Sequence, residues 1–185
     1  GRSVDTSMGM TPLEGLVMGT RSGDVDAAAV LHLMQWEQLS VERMDALLNK
    51  GSGLYGISGI SNDMRTLLEH AARGDERAGL AIEVFCYRIR KYIGAYYAVL
   101  NGADAVIFTG GIGENAPEIR RRVCESLDAL GIRLDEQRNR AAVGREADLS
   151  AEDARTRVWV IPTNEELLIA RETVRALESA GRQTR

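Results

Sequence analysis

The run DAVIFTGGIGEN, Asp104 to Asn115, sets four apolar residues before three glycines, an acid and an asparagine. A strand followed by a glycine turn and a helix start brings backbone N–H groups and the positive end of a helix up to a phosphate or a nucleotide. Gly110, Gly111 and Gly113 permit positive φ and leave no Cβ in a ligand's way, while Glu114 and Asn115 can begin the helix. The spacing matches neither G-x-G-x-x-G nor the lysine-bearing phosphate loop, which disfavours a dinucleotide or Walker-type site. A tight βα turn that binds nothing is the plain structural alternative.

Other residues of chemical interest also lie where loops meet helices. SNDMR offers an acid, Asp63, and a guanidinium, Arg65, at a helix start, and PTNEE puts Glu165 in a helix's first turn. A carboxylate beside phosphates suits Mg²⁺, which keeps much of its hydration and takes few protein ligands; equally, Glu165 can simply favour the helix dipole. Arg21, in the glycine-flanked MGTRSG, can neutralise charge on a transferring phosphoryl group, or be a solvated loop arginine. His32 and His70 sit in helical stretches with no nucleophile beside them. Cys86 and Cys124 lie far apart on apolar helical faces without metal-ligand spacing and read as reduced structural thiols.

These residues need elements to position them. PLEGLVMGTRSG reads as a short helix or turn and a loop. Asp24 and Ser40 are placed as caps of a helical hairpin, and GSGLYGISGIS as a loop to Ser61, before a helix that starts near Asn62 or Asp63. Residues 77–100 carry helical apolar spacing, with Tyr92, Tyr96 and Tyr97 expected in the core. AVIF is a strand, APEIRRRVCESLDALG a helix ending at Gly131, and GIRLD and RVWVIP two further strands. A last amphipathic helix opens with Thr163 and Glu166 in capping-box spacing. SVDTS near the start looks strand-like.

At 185 residues and 44% hydrophobic the chain can bury a real core, which excludes disordered and fibrous classes. With 23 basic against 27 acidic residues the net charge is −4, and the basic residues are scattered, so no nucleic acid is expected as partner. No apolar run reaches the ~18 residues of a membrane span and no signal peptide opens the chain, which points to a cytoplasmic protein without a membrane partner. The missing initiator Met suggests part of a longer polypeptide.

Together, SVDTSMGMTPLEGLVMGTRSGDVD, GISGISNDMR, NGADAVIFTGGIGEN and VIPTNEELLIARET closely resemble the acetate kinase family of short-chain acyl phosphotransferases, over Gly1 to about Leu177. The resemblance implies an α/β fold: the partial C-terminal lobe of an actin-like, sugar-kinase-like, Hsp70-ATPase-like (ribonuclease H-like) architecture, with residues 1–185 as one nucleotide-binding lobe whose last helix, from about 165, packs toward a missing lobe. It also implies ATP and ADP, Mg²⁺, acetate or a similar acid, the enzyme's own N-terminal half and a homodimer as cofactors and partners. By the family's pattern Arg21 stabilises the transition state. Asp63, Met64 and Arg65 with Gly111, Ile112, Gly113, Glu114 and Asn115 bind the nucleotide, and Glu165 is the Mg²⁺ ligand. The family's other nucleotide loop, its catalytic aspartate and histidine, a second substrate arginine and a metal-side asparagine belong upstream of Gly1, so this chain alone is expected to be inactive. A propionate or butyrate kinase, or a non-catalytic nucleotide-binding or dimerisation module, are the alternatives; an NAD-dependent oxidoreductase lacks its fingerprint and downstream acid.

Overall fold

Short polar side chains start most of the helices, because each accepts an N–H that the first turn leaves unpaired. The computed structural model describes residues 2–183; Gly1, Thr184 and Arg185, included in the one-lobe reading, lie outside the described residues. Helices α1 (Ala27–Trp36), α2 (Val41–Lys50), α3 (Gly53–Ser58), α4 (Met64–Ala72) and α5 (Glu76–Val99) precede strand β1 (Ala105–Phe108). Then come α6 (Gly110–Asn115), α7 (Pro117–Cys124), a 3-10 turn at Asp128–Leu130, α8 (Glu136–Ala141), β2 (Ala147–Asp148), β3 (Arg157–Val160) and α9 (Glu165–Gln183). The caps are Asp26, Ser40, Asp63, Asp75 and Asp135, each accepting an N–H two or three residues on, and Pro117 opens α7, where a missing N–H costs nothing.

Several boundaries differ from expectation for identifiable reasons. Asp26, not Asp24, caps α1; the Asp24 carboxylate is already engaged by the Gly15 N–H at 2.8 Å and the Tyr92 hydroxyl at 2.7 Å. The glycine- and serine-rich stretch before Ser61 contains α3. The helix expected to run to Gly131 stops at Cys124, where Ser126 takes a positive φ, and Gly131 instead closes the 3-10 turn at φ 75°. GIRLD makes only isolated bridges, Ile132 to Thr156 and Leu134 to Ser150. Asn164 rather than Thr163 caps α9, accepting from the Leu167 N–H at 3.0 Å. SVDTS lies outside any strand, since an extended segment needs a ladder partner to persist. Tyr92, Tyr96 and Tyr97 are half-buried and belong to neither core cluster.

The sheet order is β1-β3-β2, with β1 parallel to β3 in the register Ala105–Arg157 to Phe108–Val160 and β2 antiparallel. One core cluster joins Val17, Leu54, Met64, Leu67, Ile82, Phe85, Ile119 and Val123 between helices; the other joins Cys124, Leu127, Ile132, Leu149, Val158 and Val160 under the sheet. Phe108, the last residue of β1, packs against both. The strand end that leads into the glycine turn is thereby fixed where the two cores meet. The other edge of β1 pairs with no strand among the described residues. On α9, Leu168, Ile169 and Leu177 stay exposed.

Candidate functional site

α4, α6 and the start of α7 frame a cleft of about 660 Å³. Both α4 and α7 pack against α5, which brings them together. Asn62, Asp63, Met64, Arg65, Gly111, Ile112, Asn115 and Glu118 line it, so two distant segments of the chain meet in one site. Met64 also belongs to the helical core, 4% exposed, and so anchors its wall. Asp63 caps α4 and grips Arg65, whose Nε lies 3.2 Å and Nη2 2.6 Å from the two carboxylate oxygens. The Arg65 side chain and backbone N–H hold the Asp63 carboxyl at about 2, well below the usual range, which fixes a charged fork at the cleft's rim.

Of the glycines singled out, only Gly110 uses a positive φ, 72°. A Cβ on Gly111 would meet nothing within 4 Å, which leaves the cleft wall open there, whereas one on Gly113 would press Phe108 at 3.3 Å. Glu114 turns back on its own helix: Oε1 accepts the Gly110 N–H at 2.8 Å and the Thr163 N–H at 2.9 Å. Those bonds, Thr163's first, lower its pKa. They also tie α6 to the segment that leads into α9. Asn115 donates to the Gly111 carbonyl at 3.0 Å.

The far end of α6 is held by Arg120, a fully buried guanidinium that has no carboxylate partner among the described residues. Its Nη1 donates to the Gly113 and Glu114 carbonyls at 2.8 and 3.1 Å, and its Nη2 to those of Asn139 and Ala142 at 2.8 and 2.6 Å. Its Nε reaches the Asn139 Oδ1 at 2.8 Å, and Asn139 in turn donates to the Pro117 carbonyl. Carbonyls at the ends of α6 and α8 supply the negative potential that a carboxylate otherwise would, and burial lowers the Arg120 pKa. Sequence reasoning missed this scaffold; the only trace is an arginine set between the apolar pair Ile119 and Val123, while Arg121 and Arg122 take Glu118.

Arg21 lines a second cleft, of about 640 Å³, with Met18, Thr20, Asp45, Asn49, Lys50 and Asn62. Asn62 lies on both clefts, so they adjoin. The Arg21 loop is laced to the α2–α3 junction: the Ser22 N–H donates to the Leu48 carbonyl at 2.9 Å, Ser52 to Thr20 at 3.0 Å and Leu54 to Met18 at 2.9 Å. Gly53, at φ 63°, lets the chains approach so closely that a Cβ would lie 2.2 Å from the Met18 oxygen and 2.7 Å from the Arg21 oxygen. Asp24 closes the loop, exchanging bonds with Gly15 and pairing with Arg88 of α5. Arg21 itself half-emerges, its Nη1 lying 3.9 Å from the Met18 sulfur.

Glu165 is exposed at the start of α9 and lines neither cleft. His32 stacks on Trp36 and His70 approaches Asp75 at 3.5 Å, both away from the clefts' linings. Burial pushes the Cys86 and Cys124 thiols up to about 11 and 12. No helix among the described residues is long and apolar enough to cross a membrane.

A model of the acetokinase family matches residues 1–171. Among curated proteins, the chain is 58% identical over 179 residues to the acetate kinase of Heliobacterium modesticaldum, covering 96% of this chain and 44% of that protein. Among solved structures it superposes on Porphyromonas gingivalis acetate kinase with a TM-score of 0.89 at 44% identity, covering 92% of this chain and 43% of the other. On a propionate kinase from Francisella tularensis the TM-score is 0.87 at 46% identity, again covering 92% and 43%. The α/β fold is therefore that of a partial lobe of the actin-like architecture, and the chain spans less than half the length of the relatives it matches.

Proposed function

The chain belongs to the acetokinase family, and on that premise we propose that it is the C-terminal part of an enzyme that transfers the γ-phosphoryl group of ATP to a short-chain carboxylate, making acetyl phosphate and ADP from acetate. The observation that carries this reading is the pair of adjoining clefts. One gathers Asp63, Met64, Arg65, Gly111, Ile112 and Asn115, and the other presents Arg21. The nucleotide lies in the first, its approach permitted by the open face of Gly111, with Gly113 and Glu114 shaping the turn from behind. The carboxylate oxygen attacks the γ-phosphorus in line as ADP leaves, and Arg21 neutralises charge spread over the equatorial oxygens. Transfer of this kind is largely positioning and electrostatics, which suits a loop as tightly laced as Arg21's.

Glu165 fits an Mg²⁺ ion that keeps most of its water: its carboxylate is exposed and makes no ion pair among the described residues. No group of three or more metal-binding side chains occurs among those residues, so water and phosphate oxygens would complete the shell. When bound, the ion screens phosphate charge. The remaining catalytic groups of the family pattern belong to the upstream part, so the chain by itself does not turn over. The free edge of β1 and the exposed apolar residues of α9 support association with that part, or with a second copy in a homodimer. The likeness to a propionate kinase supports a longer acid as a second reading; relative kcat/KM for acetate, propionate and butyrate in the complete enzyme separates the two.

Calorimetric titration of Mg·ADP into the folded chain tests the nucleotide cleft. Saturable binding is expected, and Gly111→Val should abolish it by filling the open wall. Binding that the substitution leaves unchanged, or no binding to the wild-type chain, counts against the reading.

A further inference from the structure

The Arg21 cleft holds a second cation. Residues 20–22 and 48–52 run side by side: the Ser22 N–H donates to the Leu48 carbonyl at 2.9 Å, the Thr20 hydroxyl to the Asn49 carbonyl at 2.9 Å, and the Ser52 N–H to the Thr20 carbonyl at 3.0 Å. This lacing sets Lys50, the last residue of α2, beside Arg21, and both line the same space of about 640 Å³. Neither makes an ion pair with a carboxylate among the described residues. Asp45 is the acid on that lining, and one of its oxygens is taken by the Asn49 amide at 3.0 Å. A lysine at a helix end ordinarily does no more than complement the helix dipole. Here its backbone is fixed against the loop of the other cation, and both residues line one cleft.

We propose that Lys50 is an anion-binding residue of this site, joining Arg21 to hold a phosphoryl dianion. Two cations match a dianion better than the single charge of a carboxylate. The chemistry is also divided sensibly: the planar guanidinium supplies directional bonds and the compact ammonium a point charge. The inference rests on the reading of Arg21 as the phosphoryl clamp and extends it to a residue outside the family-like pattern of site residues. The phosphoryl group is supplied either by an acyl phosphate or by a free phosphate, and both present the same dianion.

The test is titration of the folded chain with acetyl phosphate, inorganic phosphate and, as a monoanion control, acetate, followed by NMR shifts of Thr20, Ser22 and Lys50 amides. Both phosphates should bind saturably and acetate more weakly, with affinity falling as salt is raised. A preference for acetyl phosphate over inorganic phosphate identifies the acyl phosphate as the source. Lys50→Ala should weaken binding roughly tenfold, as loss of one charge-assisted contact implies, while Lys50→Arg restores most of it. Wild-type affinity in Lys50→Ala overturns the proposal, as does a Lys50→Ala chain that loses stability but not affinity, and so does a folded wild type that binds neither phosphate. Arg21→Ala separates the two claims: affinity lost there but kept in Lys50→Ala removes Lys50 alone, and the reverse removes Arg21's role while Lys50 stands.

Discussion

The two glycine-bearing segments at the clefts use glycine for opposite reasons. In the Arg21 region glycine is demanded by crowding, since Cβ atoms on Gly15, Gly23 and Gly53 would drive into backbone at 2.4, 2.6 and 2.2 Å, each with φ positive. In α6 it provides open space, since Gly110 and Gly111 would meet nothing within 4 Å. The loop that carries the cation is held by its own main chain. The helix that faces the nucleotide cleft leaves its outer wall bare and is anchored from behind by one buried arginine. Glycine content alone thus says nothing about a ligand; what surrounds the missing Cβ decides whether the residue serves packing or access.

Substitutions at the two kinds of glycine should separate sharply. Gly53→Ala combines a disfavoured φ with a backbone clash against the Arg21 loop, and should destabilise by about 3 kcal/mol. Gly111→Ala, placed in open helix, should change stability by no more than about 1 kcal/mol, in the stabilising direction. Urea midpoints for the two variants check this. Similar small changes at both positions would dissolve the distinction.

The next largest effect falls on the anchor. Arg120→Met removes the donors to four backbone carbonyls while keeping an apolar side chain of similar reach, and should cost about 2–3 kcal/mol. Hydrogen exchange should speed up locally in α6 and α8 and leave the Arg21 loop protected. Uniform loosening of both regions would show that they are not independently held.

How much of this is legible in the sequence follows the same division. Local chemistry is: Ser40 and Asp63 are caps, AVIF is a strand, and Asp63, Arg65 and Gly111 stand at loop–helix junctions, each readable from a few neighbours. Long-range packing is not. The stretch GSGLYGISGIS around Gly53 reads as loop because it holds four glycines and three serines, yet contacts with the Met18 and Arg21 carbonyls fold part of it into α3. Asp24 reads as a cap, but Gly15, Arg88 and Tyr92, remote in sequence or nearly so, claim its carboxylate first. Arg120 sits in a run of arginines, and only the meeting of α7 with α8 tells which one is buried.

The smallest effect concerns charge on the nucleotide side. Glu118, which lines that cleft, accepts from Arg121 at 2.9 and 3.0 Å and from Arg122 at 2.7 Å. Arg121 foremost, and then Arg122 against the opposing effect of burial, hold its carboxyl down at about 2, against 4.5 ordinarily. A carboxyl whose pKa is lowered by folding stabilises the native state above its unfolded value, and that contribution is lost as pH falls from about 4.5 toward 2. Because the side chain is 40% exposed, water screens the pair, and Glu118→Gln should cost less than about 1 kcal/mol at neutral pH. The gap between wild type and variant should narrow below about pH 4.5 and be mostly gone by pH 2 in paired thermal melts. If it persists undiminished at that pH, Glu118 holds the base of the cleft by shape rather than charge, as the main-chain lacing holds the Arg21 loop.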